Sequence, residues 1–165
     1  MKRRKFFLLI FIVFILQNSF SQNVFLQVKL EINHSLRKNN NRINITIDKK
    51  DTLFVVKISD SSYVNNQEQA MLDTSYFINK YQFDNIINLL KKVYPNHLFQ
   101  EMTKNTWIGM DGLMCKLTYG TFQNQIILNI WSPLYDTKER KLEPFVAVCK
   151  EILRLANLKP RKYLR

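Results

Sequence analysis

The sequence is poor in the residues on which common cofactor and catalytic motifs depend. Its three glycines, Gly109, Gly112 and Gly120, form neither a GxGxxG nor a GxxxxGK[ST] run, so it predicts no phosphate-cradling loop of those two kinds. Its two histidines, His34 and His97, lie in polar stretches and are expected in solvent-exposed loops. The sequence contains neither an HExxH nor a CxxC run, the common spacings of zinc ligands. The sequence therefore predicts no cofactor, no metal site and no catalytic residue.

Long apolar runs are equally scarce, and the one that is present lies at the N-terminus. A basic start, Met1–Lys5, precedes the apolar run Phe6–Leu16, and a short polar stretch ends at Ser21. This order is typical of a secretory signal peptide. The apolar run is too short to span the roughly 30 Å hydrocarbon core comfortably. We therefore expect cleavage near Ser21–Gln22 and a periplasmic or secreted protein; the alternative is an uncleaved signal that acts as an anchor.

The chain is strongly basic, but part of that charge belongs to the predicted signal peptide. The 25 basic and 13 acidic residues give a net charge of +12, and residues 1–21 hold four of the basic residues. The remaining 21 basic and 13 acidic residues give +8. No nucleic-acid-binding motif is present and the signal directs the chain away from nucleic acid, so no such partner is predicted.

A short basic tail ends the sequence. Lys159, Arg161, Lys162 and Arg165 lie within its last seven residues. Such a tail could make weak contact with an anionic membrane or an acidic partner. The alternative is a frayed, solvated terminus that serves solubility.

Residues 22–165 predict one α+β domain. Alternating apolar and polar residues predict four strands, at Val24–Ile32, Ile43–Ile47, Leu53–Ser59 and Ala70–Ile78. Short connections between them favour an antiparallel meander, and the polar stretch Ser61–Gln69 is predicted to be a loop.

Two helices and a hairpin complete the prediction. Asn79 and Gln82 have the spacing of a capping box before a helix that ends ahead of Pro95. Leu113–Tyr119 and Ile126–Trp131 predict a β-hairpin, and the apolar stripe from Leu142 to Ala156 predicts a second helix. The resulting fold class is α+β: a single antiparallel sheet of about six strands with two amphipathic helices packed on one face, in the order ββββ-α-ββ-α.

The two cysteines are expected to point into the same layer. Cys115 lies on the apolar side of its predicted strand, and Cys149 lies on the apolar stripe of the last helix. In an oxidising compartment they could form a disulfide, worth about 3–4 kcal/mol in the chain-entropy model. The alternatives are two buried thiols that never meet, or a catalytic thiolate with His97 as its base, which the core positions disfavour.

Aromatic and acidic residues form the best candidate for a ligand- or partner-binding site. They are Trp107, Asp111, Trp131, Tyr135 and Asp136. Aromatic side chains beside carboxylates can line a groove for a sugar, a peptide or a protein partner. The structural alternative is that Asp111 makes a turn with Gly112, Asp136 caps a helix and the tryptophans close the core.

These features favour a small exported non-catalytic binding protein with a protein or glycan partner, of which an inhibitor or an immunity protein would be one example. Two alternatives remain open at the level of sequence. One is an exported hydrolase that uses Asp111, Asp136 or a cysteine; the other is an envelope-associated structural protein held by its basic tail.

Overall fold

One open antiparallel sheet organises the molecule. The computed structural model describes residues 26–35, 42–50, 53–64, 67–93, 112–121 and 123–165. The strands are β1 (Gln27–His34), β2 (Arg42–Lys50), β3 (Leu53–Val64), β4 (Gln67–Ile78), β5 (Leu113–Gly120) and β6 (Gln125–Trp131). They lie in the order β4-β3-β2-β1-β5-β6. The helices are α1 (Lys80–Leu90), α2 (Glu143–Leu155) and the short α3 (Pro160–Tyr163). The α+β prediction is confirmed, and the described ranges contain one helix more than expected.

Strand register places the apolar side chains in a single layer. Leu30 of β1 is paired with Ile45 of β2 on one side and with Leu117 of β5 on the other, and all three are fully buried. Because side chains alternate between the two faces of a sheet, this register repeats the apolar row along each strand. Helices α1 and α2 cover that face with Phe83, Ile86, Leu90, Phe145, Val146, Cys149, Ile152 and Leu153.

The first helix is capped at its start, and both long helices are attached to the sheet by specific contacts. The predicted capping box is present at the start of α1, where Asn79 and Gln82 exchange bonds of 2.8 and 2.9 Å. The ring of Phe83 lies 4.7 Å from that of Phe54 on β3. The hydroxyl of Tyr76 on β4 donates to the carbonyl of Leu155 at the end of α2. These contacts fix both helices on the apolar face, as the amphipathic patterns predicted.

The C-terminal segment is packed rather than frayed. Tyr163 and Leu164 are buried in the core, and α3 brings them there. Burial of these two large side chains anchors the segment. Its basic composition alone had suggested a solvated tail. None of the helices in the described ranges is long and apolar enough to cross a membrane.

Two further expectations about loops were wrong. Most of Ser61–Gln69 continues strands β3 and β4, which stay paired up to Val64 and Gln67 with a register shift between Asp60 and Ser61. His34 is the last residue of β1, not a loop residue, and it is half-buried. In both places backbone pairing extends a strand beyond the apolar alternation that signals it, because ladder hydrogen bonds do not require apolar side chains.

The face of the sheet opposite the helices carries a buried carboxylate. Glu31 is 7% exposed. Its carboxylate lies 2.9 Å from the ammonium of Lys29, 3.3 Å from that of Lys116 and 3.8 Å from the guanidinium of Arg42. These cations come from three adjacent strands, so a single anion ties β1, β2 and β5 together.

Acid is expected to weaken the fold through Glu31. Burial alone would raise the pKa of this carboxyl, but the hydrogen bonds and positive charges of Lys29 and Lys116 hold the pKa below its ordinary value of 4.5. A carboxyl with a lowered pKa in the folded state stabilises that state above the ordinary value, and the contribution is lost as the pH falls through the folded-state value. The free energy of unfolding should therefore decrease below pH 4.5.

Urea unfolding of the wild type and of Glu31→Gln at neutral and acidic pH measures this effect. The variant should be less stable at neutral pH and lose less stability on acidification. The matched control is Glu139→Gln, which removes an exposed carboxylate and leaves the three cations untouched. An equal loss of stability in the wild type and Glu31→Gln would show that another group is responsible.

Candidate functional site

A cleft lies at the end of the sheet where β1 ends, β5 begins and β6 ends. Its volume is about 470 Å³. The apolar part of its wall comes from Leu113, Leu134 and Leu164, beside the ring of Tyr135. The polar part comes from the following residues: His34, Ser132 and Arg165, with the backbone of Gly112.

Gly112 allows an indole ring to lie directly against the main chain at this cleft. A Cβ atom at position 112 would lie 2.5 Å from Nε1 of Trp131 and 2.8 Å from Oγ of Ser132. Those distances leave no room for any side chain. The hydroxyl of Ser35 accepts from the N–H of Gly112 and donates to its carbonyl, both at 2.9 Å, which fixes this backbone against the end of β1.

Two of the predicted binding residues come together here. The rings of Trp131 and Tyr135 lie 6.3 Å apart at an angle of 60°, within the range of a tilted aromatic pair. Trp131 packs against Gly112, whereas Tyr135 lines the cleft and is 54% exposed. A half-exposed aromatic ring supported from behind by another ring is well suited to contact a partner.

The other three predicted residues are not part of this pair. Asp136 is exposed, has a φ of 46°, and is not in the wall of the cleft. It does not begin a helix; its carbonyl accepts from the N–H of Arg140 at 2.9 Å in a series of turns. Trp107 and Asp111 lie outside the described residues.

The loop that presents Tyr135, residues 132–141, is held together by Arg140. The guanidinium donates to the carbonyls of Trp131, Ser132 and Tyr135 at 2.9, 2.9 and 3.0 Å. Three loop residues other than glycine adopt left-handed backbone conformations: Ser132 (φ 38°), Asp136 (φ 46°) and Lys141 (φ 50°). Such conformations are unfavourable for these residue types and persist only where surrounding contacts impose them. The guanidinium of Arg140 supplies three of those contacts, and hydrogen bonds of the turns supply others.

Sequence reasoning missed Arg140 and gave His34 the wrong environment. Arg140 stands in the charged run Lys138-Glu139-Arg140-Lys141, which has the composition of a solvated surface. The Nε2 atom of His34 lies 3.1 Å from the carbonyl oxygen of Tyr163. Because a carbonyl only accepts, Nε2 carries the proton, and this bond joins the end of β1 to the C-terminal segment.

The two cysteines occupy the same layer, as predicted, and both are free thiols. Cys115 and Cys149 are completely buried in the core. Burial, together with the neighbouring thiol of Cys115, raises the pKa of the Cys149 thiol well above its ordinary value. A nucleophilic cysteine needs access and a lowered pKa, so this pair does not have the properties of a catalytic thiolate. Formation of a disulfide between them in the exported protein stays a prediction.

Comparisons with known proteins give no relative. A scan against models of protein families, a search of curated proteins and a search of solved structures each returned no match.

Proposed function

We propose that this chain is a small exported non-catalytic binding protein that holds a protein partner at the cleft beside Tyr135. The observation that carries the proposal is the half-exposed Tyr135 ring at the rim of a preformed cleft. The loop beneath it is fixed by three side-chain hydrogen bonds from Arg140. A preorganised loop lowers the entropic cost of binding, and exposed tyrosines are frequent anchors of protein interfaces.

The lining of the cleft favours a protein partner over a glycan. Apolar atoms, chiefly of Leu113, Leu134, Leu164 and the ring of Tyr135, form most of the exposed surface of the described wall, and the polar side chains there are His34, Ser132 and Arg165. A sugar carries many hydroxyl groups, and burying them without hydrogen-bond partners is costly. An apolar segment of a protein makes no such demand. An inhibitor or immunity protein is one form that such a binder takes.

The proposed location rests on the N-terminal sequence. The basic start, the short apolar run and the polar stretch that ends at Ser21 support export and cleavage near Ser21–Gln22. The partner is therefore sought in the envelope and the medium of the producing cell.

Loss of Tyr135 is expected to abolish capture of the partner without unfolding the protein. Wild type, Tyr135→Ser and Tyr81→Ser, each tagged, are used to capture proteins from the envelope and medium, and the captured proteins are identified by mass spectrometry. Tyr81 is the matched control, because it is 81% exposed on α1 and outside the cleft wall. One stoichiometric protein should be retained by the wild type and Tyr81→Ser and be lost with Tyr135→Ser.

The affinity for that protein should fall about tenfold or more in Tyr135→Ser, as removal of an anchoring tyrosine commonly does. Calorimetric titration with the purified partner measures the change. Equal retention by all three proteins would place the interface elsewhere, and the absence of any stoichiometric protein would remove the protein-binder proposal.

A further inference from the structure

Strand β6 is an unprotected edge of the sheet. It is the last strand in the order, and no other strand of the described ranges lies beyond it. It contains neither proline nor a charged side chain, and Ile126 and Ile127 are 42% and 52% exposed. Natural proteins commonly protect an edge with charges, proline or a bulge. The pair β3–β4 at the opposite edge has a register shift, whereas the β5–β6 pairing is regular throughout.

The outward backbone groups of β6 can be assigned from the bonds that flank the strand. Ser132 donates to the carbonyl of Leu113 at one end, and Thr121 donates to that of Asn124 at the other. Hydrogen-bonded pairs alternate along an antiparallel ladder. Ile126, Leu128 and Ile130 therefore bond to β5, and the N–H and C=O groups of Gln125, Ile127, Asn129 and Trp131 point away from the sheet.

Only one of these outward groups is bonded within the described ranges. The carbonyl of Trp131 accepts from Arg140 at 2.9 Å, which also confirms the assigned direction. The N–H and C=O groups of Ile127 and Asn129 have no partner among the described residues. Unpaired strand edges of this kind bind another strand.

We propose that β6 pairs antiparallel with β6 of a second copy of this chain, around a two-fold axis at Leu128. This register sets Ile127 of each copy against Asn129 of the other, which provides four N–H···O bonds. It also sets Ile126 against Ile130 and Leu128 against its own copy on the helix-covered side. The carbonyl of Trp131, which is already bonded to Arg140, falls at the end of the overlap, opposite Gln125.

The residue pattern of β6 favours a second copy over an unrelated strand. A two-fold axis at Leu128 sets each residue against the one at equal distance on the other side, so the apolar side chains Ile126, Leu128 and Ile130 meet only apolar side chains of the second copy, whereas the other face pairs the unlike residues Ile127 and Asn129. The positive net charge of the chain repels a second copy, although within the β5–β6 ladder the local charge beside β6 is balanced. The nearest cation in the ladder, Lys116 opposite Asn129, has its charge paired with Glu31 at 3.3 Å.

Sedimentation velocity of the exported chain over a wide range of concentration tests the pairing. The wild type should dimerise. Asn129→Pro removes an N–H that the β5 ladder does not use and is tolerated at an edge; because each copy loses one interchain donor, dimerisation should weaken about tenfold or more. Asn129→Ala is the matched control, since it keeps the N–H and should dimerise like the wild type. A wild type that is monomeric at every concentration would overturn the proposal.

Cross-linking tests the register of the proposed pairing. Sedimentation of Ile127→Lys is a separate test of dimerisation, made with a side-chain change that keeps every backbone donor. Single variants Ile127→Cys and Asn129→Cys are oxidised with diamide, separately and as a mixture. Residues opposite each other in a ladder are close enough for a disulfide. The mixture should therefore form a covalent dimer, whereas each variant alone should not. Cross-linking of either variant alone, or dimerisation of Ile127→Lys at the wild-type affinity, would overturn the proposed pairing.

Discussion

Replacing Phe145 with alanine is expected to destabilise the protein by about 3–5 kcal/mol, the usual cost of removing a buried phenylalanine. Phe145 lies in the first half of α2, and its side chain is almost fully buried. It is one of the largest fully buried side chains of the described core. Since domains of this size are stable by about 5–15 kcal/mol, the loss is a large part of the total, and the midpoint of urea unfolding should fall accordingly.

Arg154→Ala on the same helix is the control for this substitution. Arg154 is exposed, and its 3.2 Å contact with Glu151 is a surface ion pair, for which the expected loss is below about 1 kcal/mol. Phe145→Ala should also release α2 from the sheet first, which hydrogen exchange of the α2 amides would detect. A loss from Phe145→Ala as small as that from Arg154→Ala would mean that α2 does not pack against the sheet through this ring.

The fold was largely predictable because its core follows the two simplest periodicities. Alternation at Leu30, Ile45 and Leu117 identified strands whose apolar sides share one layer, and the helical spacing around Phe145 identified the covering helix. Strand order was not predictable. The pairing of β1 with β5 joins residues far apart in the chain, and neither strand carries a local signal for its neighbour.

The errors have a common cause, which is that burial depends on tertiary context. Tyr163 and Leu164 stand among basic residues, so their composition resembles that of a solvated terminus, but the core provides a place for both side chains. His34 was expected in a solvent-exposed loop, yet its ring is half-buried and bonded to the same C-terminal segment. Sequence patterns report the average environment of a stretch and not a single contact that a distant segment completes.

The candidate site was predictable only in part. Aromatic residues beside carboxylates in the sequence identified Trp131 and Tyr135, which do form one pair. No feature of the sequence indicates that Arg140 holds the loop, because an arginine that binds carbonyls and one that is solvated look the same in a charged run. Its role comes from loop geometry, since three of its five N–H donors meet carbonyls that the turns bring to one point.

Arg140→Ala is expected to cost about 2–4 kcal/mol and to loosen the loop of residues 132–141. The substitution removes three charge-assisted hydrogen bonds and leaves the carbonyls of Trp131, Ser132 and Tyr135 without that donor. The left-handed conformation at Ser132 then loses one of the contacts that hold it. Urea unfolding measures the global loss, and hydrogen exchange at the Tyr135 amide, which is bonded to Ser132 at 2.9 Å, measures the local one.

Two further variants separate the hydrogen bonds of Arg140 from its charge. Arg140→Lys keeps the charge, but its single ammonium cannot reproduce a planar fork that reaches three carbonyls, so its loss should be intermediate. Lys138→Ala removes a neighbouring exposed cation and should change stability by less than about 0.5 kcal/mol. If the cleft beside Tyr135 binds a partner, Arg140→Ala should also weaken that binding, because the ring loses its fixed position. Full stability and unchanged amide exchange in Arg140→Ala would show that the turns hold the loop without this side chain.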